Sequence, residues 1–96
     1  MLKLMTLNLN YYGEKYGNWK ARRRLILDQI KESGPDLIAF QAVKKERNLF
    51  DGDDQATQIA RLAGYPTVIF QAAVEYGDGI AEGSVIISHY PLFASI

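Results

Sequence analysis

The sequence predicts an α/β domain of order β-α-β-α-β-β, one sheet with both helices on one face, and three observations carry that expectation. Four short segments rich in apolar residues, "LKLMTLNL", "DLIAFQAV", "TVIFQAAV" and "SVIISHY", are bounded by turn signals. Two segments between them repeat apolar residues at helical spacing, and each closes on a glycine followed within two residues by proline, in "SGP" and "GYP". Several strands carry apolar residues on both alternating sets, the pattern of a sheet buried on both sides.

The bounds set by composition are ordinary. Ninety-six residues make one small domain, 1–96, without repeats, linkers or low-complexity segments. Eleven basic and eleven acidic residues give a formal net charge of zero, which argues against strong non-specific attraction to a polyanion. The absence of cysteine excludes disulfides and thiolate metal sites. No apolar run approaches the roughly 20 residues of a membrane span. Asn8 and Asn10 interrupt the apolar N-terminus where a signal peptide would be continuous, so the expected location is cytoplasmic.

Taken in order, residues 2–9 form a strand with Leu2, Leu4, Thr6 and Asn8 on one face and Lys3, Met5, Leu7 and Leu9 on the other. A tyrosine- and glycine-rich loop follows. Asn18 then caps a helix whose inward stripe is Trp19, Ile26, Leu27 and Ile30. Strict alternation in the next strand places Ile38, Phe40 and Ala42 on one face and Leu37, Ala39, Gln41 and Val43 on the other. A charged loop leads to a helix capped by Asp53 or Asp54, with Ala56, Ile59, Ala60 and Ala63 turned inward. Gly77, Gly79 and Gly83 fall in a turn region between the last two strands; with no strand-to-helix context, they do not make a phosphate cradle.

If the first two strands are neighbours, this alternation puts Asn8 and Ala42 together at their C-terminal ends, on a face with Leu2, Leu4, Ile38 and Phe40 that no element of the chain covers. Each large apolar side chain left wet forfeits roughly 1.5–3 kcal/mol. A second sheet is therefore expected on that face, from a partner, a second copy, or further sequence.

The ordered motifs "MTLNLN", "W..R...I...I", "PDLIAFQAV", "DGDDQA....LAGY" and "SVIISHYPL" resemble the N-terminal half of the endonuclease/exonuclease/phosphatase family, the DNase I-like fold. The resemblance spans essentially the whole chain and implies half of a four-layer α/β sandwich, in which two similar halves pack their sheets face to face. It implies a hydrolase of phosphodiesters or phosphomonoesters, nucleic acid among them, assisted by a divalent metal, usually Mg. Asn8 matches the family's active-site asparagine. Asn10 falls where some members place an acidic residue near the metal. Position 42 matches the glutamate that ligates the metal, and Ala42 offers a hard cation no oxygen. The family's catalytic histidine and paired aspartates belong to the second half, and His89 matches neither.

Tyr11, Tyr12 and Arg22 are the substrate-binding candidates: the rings to stack on a base or sugar, the guanidinium to fork onto phosphate. Arg22 packing against the sheet edge is the competing structural role, and a solvated helix face is expected for the rest of "KARRR". Two functions follow. One is a phosphoesterase half, inactive by itself. The other is a non-catalytic module that pairs with its own copy through the exposed sheet face and mimics the two-fold pseudo-symmetry of the family.

Overall fold

The computed structural model describes residues 2–10, 18–46 and 53–91. They form β1 (Leu4–Asn8), α1 (Trp19–Ser33), β2 (Leu37–Lys45), α2 (Gln55–Ala63), β3 (Thr67–Gly77) and β4 (Ile80–Ser88). The sheet runs β1-β2-β4-β3, with β1 parallel to β2 and the other neighbours antiparallel. The expected element order and the pairing of β1 with β2 are both found.

Local chemistry explains each boundary. The Asn18 side chain accepts from the backbone N–H groups of Lys20 and Ala21, and that of Asp54 accepts from Thr57, so both helices begin on a satisfied cap. Both end on a left-handed glycine, Gly34 at φ 59° and Gly64 at φ 81°. The strands of the hairpin are longer than the sequence indicates. Asp78 and Gly79 alone form its turn, both at positive φ between paired Gly77 and Ile80, as a two-residue connection requires.

Both helices pack on one face of the sheet and form a single core. It contains Trp19, Ile26 and Ile30 from α1, Ala56, Ile59 and Ala60 from α2, and Leu9, Ile38, Phe40, Val43, Val85 and Ile87 from the sheet, with Met5, Leu7, Val68 and Phe70 partly buried against it. This corrects the expectation for β2. Ile38 and Phe40 lie under the helices, 0% and 1% exposed, not on the open face.

The cause is a β-bulge. Phe40 pairs with Val85 and Val43 with Gly83, so Gln41 and Ala42 together oppose the single residue Ser84. The extra residue reverses the alternation, and Val43 rather than Ala42 joins Ile38 and Phe40 in the core.

The core also holds two glutamines that periodicity does not mark as inward. Gln58 accepts the indole N–H of Trp19 at 2.7 Å, and Gln55 accepts the backbone N–H of Lys44 at 2.9 Å. These bonds tie α2 to α1 and to the end of β2, and they satisfy groups that would otherwise be costly to bury. Gly83 is no turn residue either. It sits within β4, where a Cβ would stand 2.1 Å from the carbonyl oxygen of Gln71. A second irregularity, in β3 between Ala72 and Val74, lies beside it.

Among the described residues, nothing packs on the opposite face of the sheet. Register aligns Leu4 with Leu37, then Thr6, Ala39, Ile86 and Ile69 across all four strands; beyond them Asn8 pairs with Gln41 and Ser84 with Gln71, on either side of the β2 bulge. Leu4 is 68% exposed, Ile69 43% and Ile86 37%. The open face is thus apolar toward the N-terminal ends of β1 and β2 and polar toward their C-terminal ends, where Lys44 and Glu82 complete it as an ion pair at 3.8 Å.

Candidate functional site at the ends of β1 and β2

The two strand ends that carry Asn8 and Ala42 are joined by their backbones. Asn8 pairs with Gln41, the residue before Ala42, and the N–H of Leu9 donates to the Gln41 carbonyl at 2.9 Å. Asn8 is exposed on the open face, and Ala42 is half-buried in the bulge. They are brought to one place, but not by the strict alternation expected from the sequence.

Both ends hold unusual backbone. Asn10 has φ 54° and Ala42 φ 53°, the left-handed region that costs an L-residue with a Cβ on the order of 1–2 kcal/mol. Asparagine tolerates it through local hydrogen bonding; alanine has no such compensation. Neighbouring contacts hold the strand ends in place. The Arg22 guanidinium donates to the carbonyl of Leu9 and lies 5.5 Å from the Trp19 ring, while Gln55 fixes Lys44 just past the bulge. Glu46 N–H donates to the Asp53 carbonyl at 3.4 Å, tying the end of β2 to the start of α2.

These contacts decide what each side chain can offer. The Asn8 Oδ1 accepts the N–H of Asn10 at 2.8 Å, which fixes the amide so that its NH2, a donor, is presented along with one remaining lone pair of the oxygen. Arg22 borders a shallow hollow of about 320 Å³ together with Asn8 and Asn10, and its backbone bond makes it a brace of the strand end. Partial burial lowers its pKa. Tyr11 and Tyr12 lie outside the described residues. His89 is far from this end: its ring stacks on Tyr65 at 3.8 Å, and its N–H donates to the Asp36 carbonyl at 3.0 Å. A groove of about 440 Å³ lies at that far end, between the C-terminal turns of the helices.

A divalent cation does not fit the donor set present. Ala42 contributes a methyl group, which leaves a neutral amide oxygen, Asn8 Oδ1, already accepting from Asn10, in place of a carboxylate. Among the described residues no three histidine, aspartate or glutamate side chains converge. Glu82, the carboxylate on the polar part of the open face, is paired with Lys44. Among the described residues, too, no helix is long and apolar enough to cross a membrane.

Sequence reasoning missed the bulge, the two buried glutamines, and the placing of Ser84 and Gln71 on the open face. Only Gly83, a glycine inside a β-branched run, signals close backbone approach at this level of the sheet.

Comparison with known proteins agrees with this architecture. Residues 5–96 match the sequence profile of the Endonuclease/Exonuclease/phosphatase family. No curated protein matches the sequence. Among solved structures, the chain is similar to an endonuclease/exonuclease/phosphatase family protein from Leptotrichia buccalis C-1013-b, with a TM-score of 0.77 and 20% identity. That similarity covers 98% of this chain but 39% of the other, so the chain spans well under half of the relative's length. With one four-stranded sheet, two helices on one face and the other face open, the chain belongs to the endonuclease/exonuclease/phosphatase family and has the architecture of half of a DNase I-like fold.

Proposed function

We propose that this chain supplies the N-terminal wall of a phosphoesterase site and does not hydrolyse phosphate esters by itself. The observation that supports this most is the pair of strained strand ends. Asn8 presents its amide donor beside Ala42, at the position where the resemblance places a glutamate, and Ala42 holds a left-handed conformation that its own side chain does not explain.

In this reading Asn8 donates to a phosphoryl oxygen, and Arg22 and Gln55 keep the strand ends in register. The catalytic acids and bases come from outside the chain. The second wall packs on the apolar rows of the open face, around Leu4, Ile69 and Ile86. The length of the Leptotrichia buccalis relative beyond the matched part favours further sequence as the source of that wall. A second copy of the chain is the alternative source, favoured by the same exposed rows.

The test is Ala42→Glu. Backbone resonances of Asn8, Asn10 and Gln41 are followed by NMR as Mn²⁺ is added as a paramagnetic stand-in for Mg. The variant is expected to show selective broadening at these residues, with little in the parent chain. Equal spectra for the two proteins would mean that position 42 does not face a metal site.

A further inference from the structure

The groove at the far end of the molecule plays no part in the function proposed above, and its position follows from the topology. β1 and β2 are parallel, and β2 and β3 are both antiparallel to β4, so each helix joins strands that run the same way. Each helix must therefore run back along the sheet, and both C-terminal turns arrive at the end opposite Asn8 and Ala42. The space between them, about 440 Å³, is of the size that small molecules occupy.

Its lining is held in place and is partly apolar. Ile30 and Tyr65 are 5% and 4% exposed, while Leu62 beside them is 55% exposed, an apolar wall left in water. The Tyr65 ring stacks on His89, its hydroxyl donates to the Pro35 carbonyl, and its N–H donates to the Ala60 carbonyl. Gly34, also in the lining, closes α1 by donating to the Ile30 carbonyl at 2.8 Å. A pocket held in this way needs little ordering when a ligand enters.

The charges around the groove favour a cation. Asp28 and Lys31 both line it and offset one another, and neither side chain has an ion pair or hydrogen bond among the described residues. Arg61, in the last turn of α2, is bridged to Asp53. Each helix C-terminus adds about half a negative charge, and two of them converge here, so the balance is negative. The Tyr65 ring adds an aromatic surface, which attracts cations over its face and packs against other rings.

We propose that this groove binds a small aromatic amine as its cation, with the ammonium at Asp28 and the ring between Leu27 and Leu62 beside Tyr65 and His89. This site stands whether or not the chain forms one wall of a phosphoesterase.

The ¹⁵N-labelled chain is titrated separately with phenethylamine and with 3-phenylpropionate, which carries the same ring on an anionic tail. Phenethylamine is expected to shift the amides of Asp28, Gly34, Leu62, Tyr65 and His89 saturably and to leave Asn8 and Gln41 in place. The anion should bind much more weakly. Asp28→Asn and Leu62→Ser, both at exposed positions and checked for fold by their spectra, should weaken phenethylamine about threefold and about fivefold. No saturable shift at these amides, equal affinity for the two probes, or unchanged affinity in either variant overturns the proposal.

Discussion

The two faces of this sheet are made from the same strands and similar residues, yet they are in different physical states. Under the helices, Ile38, Phe40, Val85 and Ile87 are each at most 1% exposed, and buried polar groups such as the Trp19 indole have partners. On the other face, Leu4, Ile69 and Ile86 remain in water, and the polar groups of Ser84 and Gln71 face out. One side is a finished protein interior; the other is open, and in the function proposed above it is half of an interface. On that reading stability and function are separated by face, and substitutions of similar size should have very different effects on the two sides.

The largest contrast is expected between Phe40→Ala and Ile86→Ala. Phe40 fills the core, and its truncation should cost about 3–5 kcal/mol in urea unfolding, enough to unfold a domain this small. Ile86 is on the open face, and its truncation should cost about 1 kcal/mol or less in the chain by itself. Equal losses would mean that the open face is already buried.

Gly83→Ala comes next, because its Cβ would overlap the Gln71 carbonyl and force β3 away from β4. A loss of about 2 kcal/mol or more is expected, with the amide exchange of β3 accelerated. Gln58→Leu should cost about 1–3 kcal/mol, since it leaves the buried Trp19 N–H without its acceptor, and the Trp fluorescence should report the change.

Two alanines on β2 sharpen the comparison further. Ala42→Gly relieves a left-handed residue and should stabilise by about 0.5–1 kcal/mol. Ala39→Gly, in regular strand, should destabilise by a similar amount. The same sign for both would remove the bulge from the account.

The smallest effect concerns pH. Burial, and then the charge of Asp36, raises the pKa of Tyr65 above its usual 10.0, while its hydroxyl donates to the Pro35 carbonyl at 2.5 Å. A raised folded-state pKa means the native state holds its proton longer than the unfolded chain. This contribution is complete below pH 10 and is lost as pH rises through the folded value. Tyr65→Phe should flatten the alkaline limb of the stability profile.

Much of this was legible from local chemistry. Asn18, Asp54, Gly34 and Gly64 mark helix ends because caps act within a few residues, and the stripes of α1 and α2 follow from a 3.6-residue period. The face of β2 was not legible. A single inserted residue reverses strand parity, and Ala42 leaves no glycine to announce the bulge. Gln55 and Gln58 carry no inward signal in the sequence, because their buried partners lie on other elements: Lys44 on β2 and Trp19 on α1. Gly83 looked like a turn residue because the sequence does not show the carbonyl of Gln71 beside it. Asn8 was found by resemblance; that its amide is fixed by the N–H of Asn10 is visible only in the structure.

The central claim is that the open face is one side of an interface. The most direct test is the solution mass of the chain by light scattering across a dilution series into the low micromolar range, beside the double variant Ile69→Ser, Ile86→Ser. The account predicts that the parent chain associates through this face and that the variant remains a folded monomer. A parent chain that stays monomeric and well folded at every concentration, with the variant no different, would contradict it.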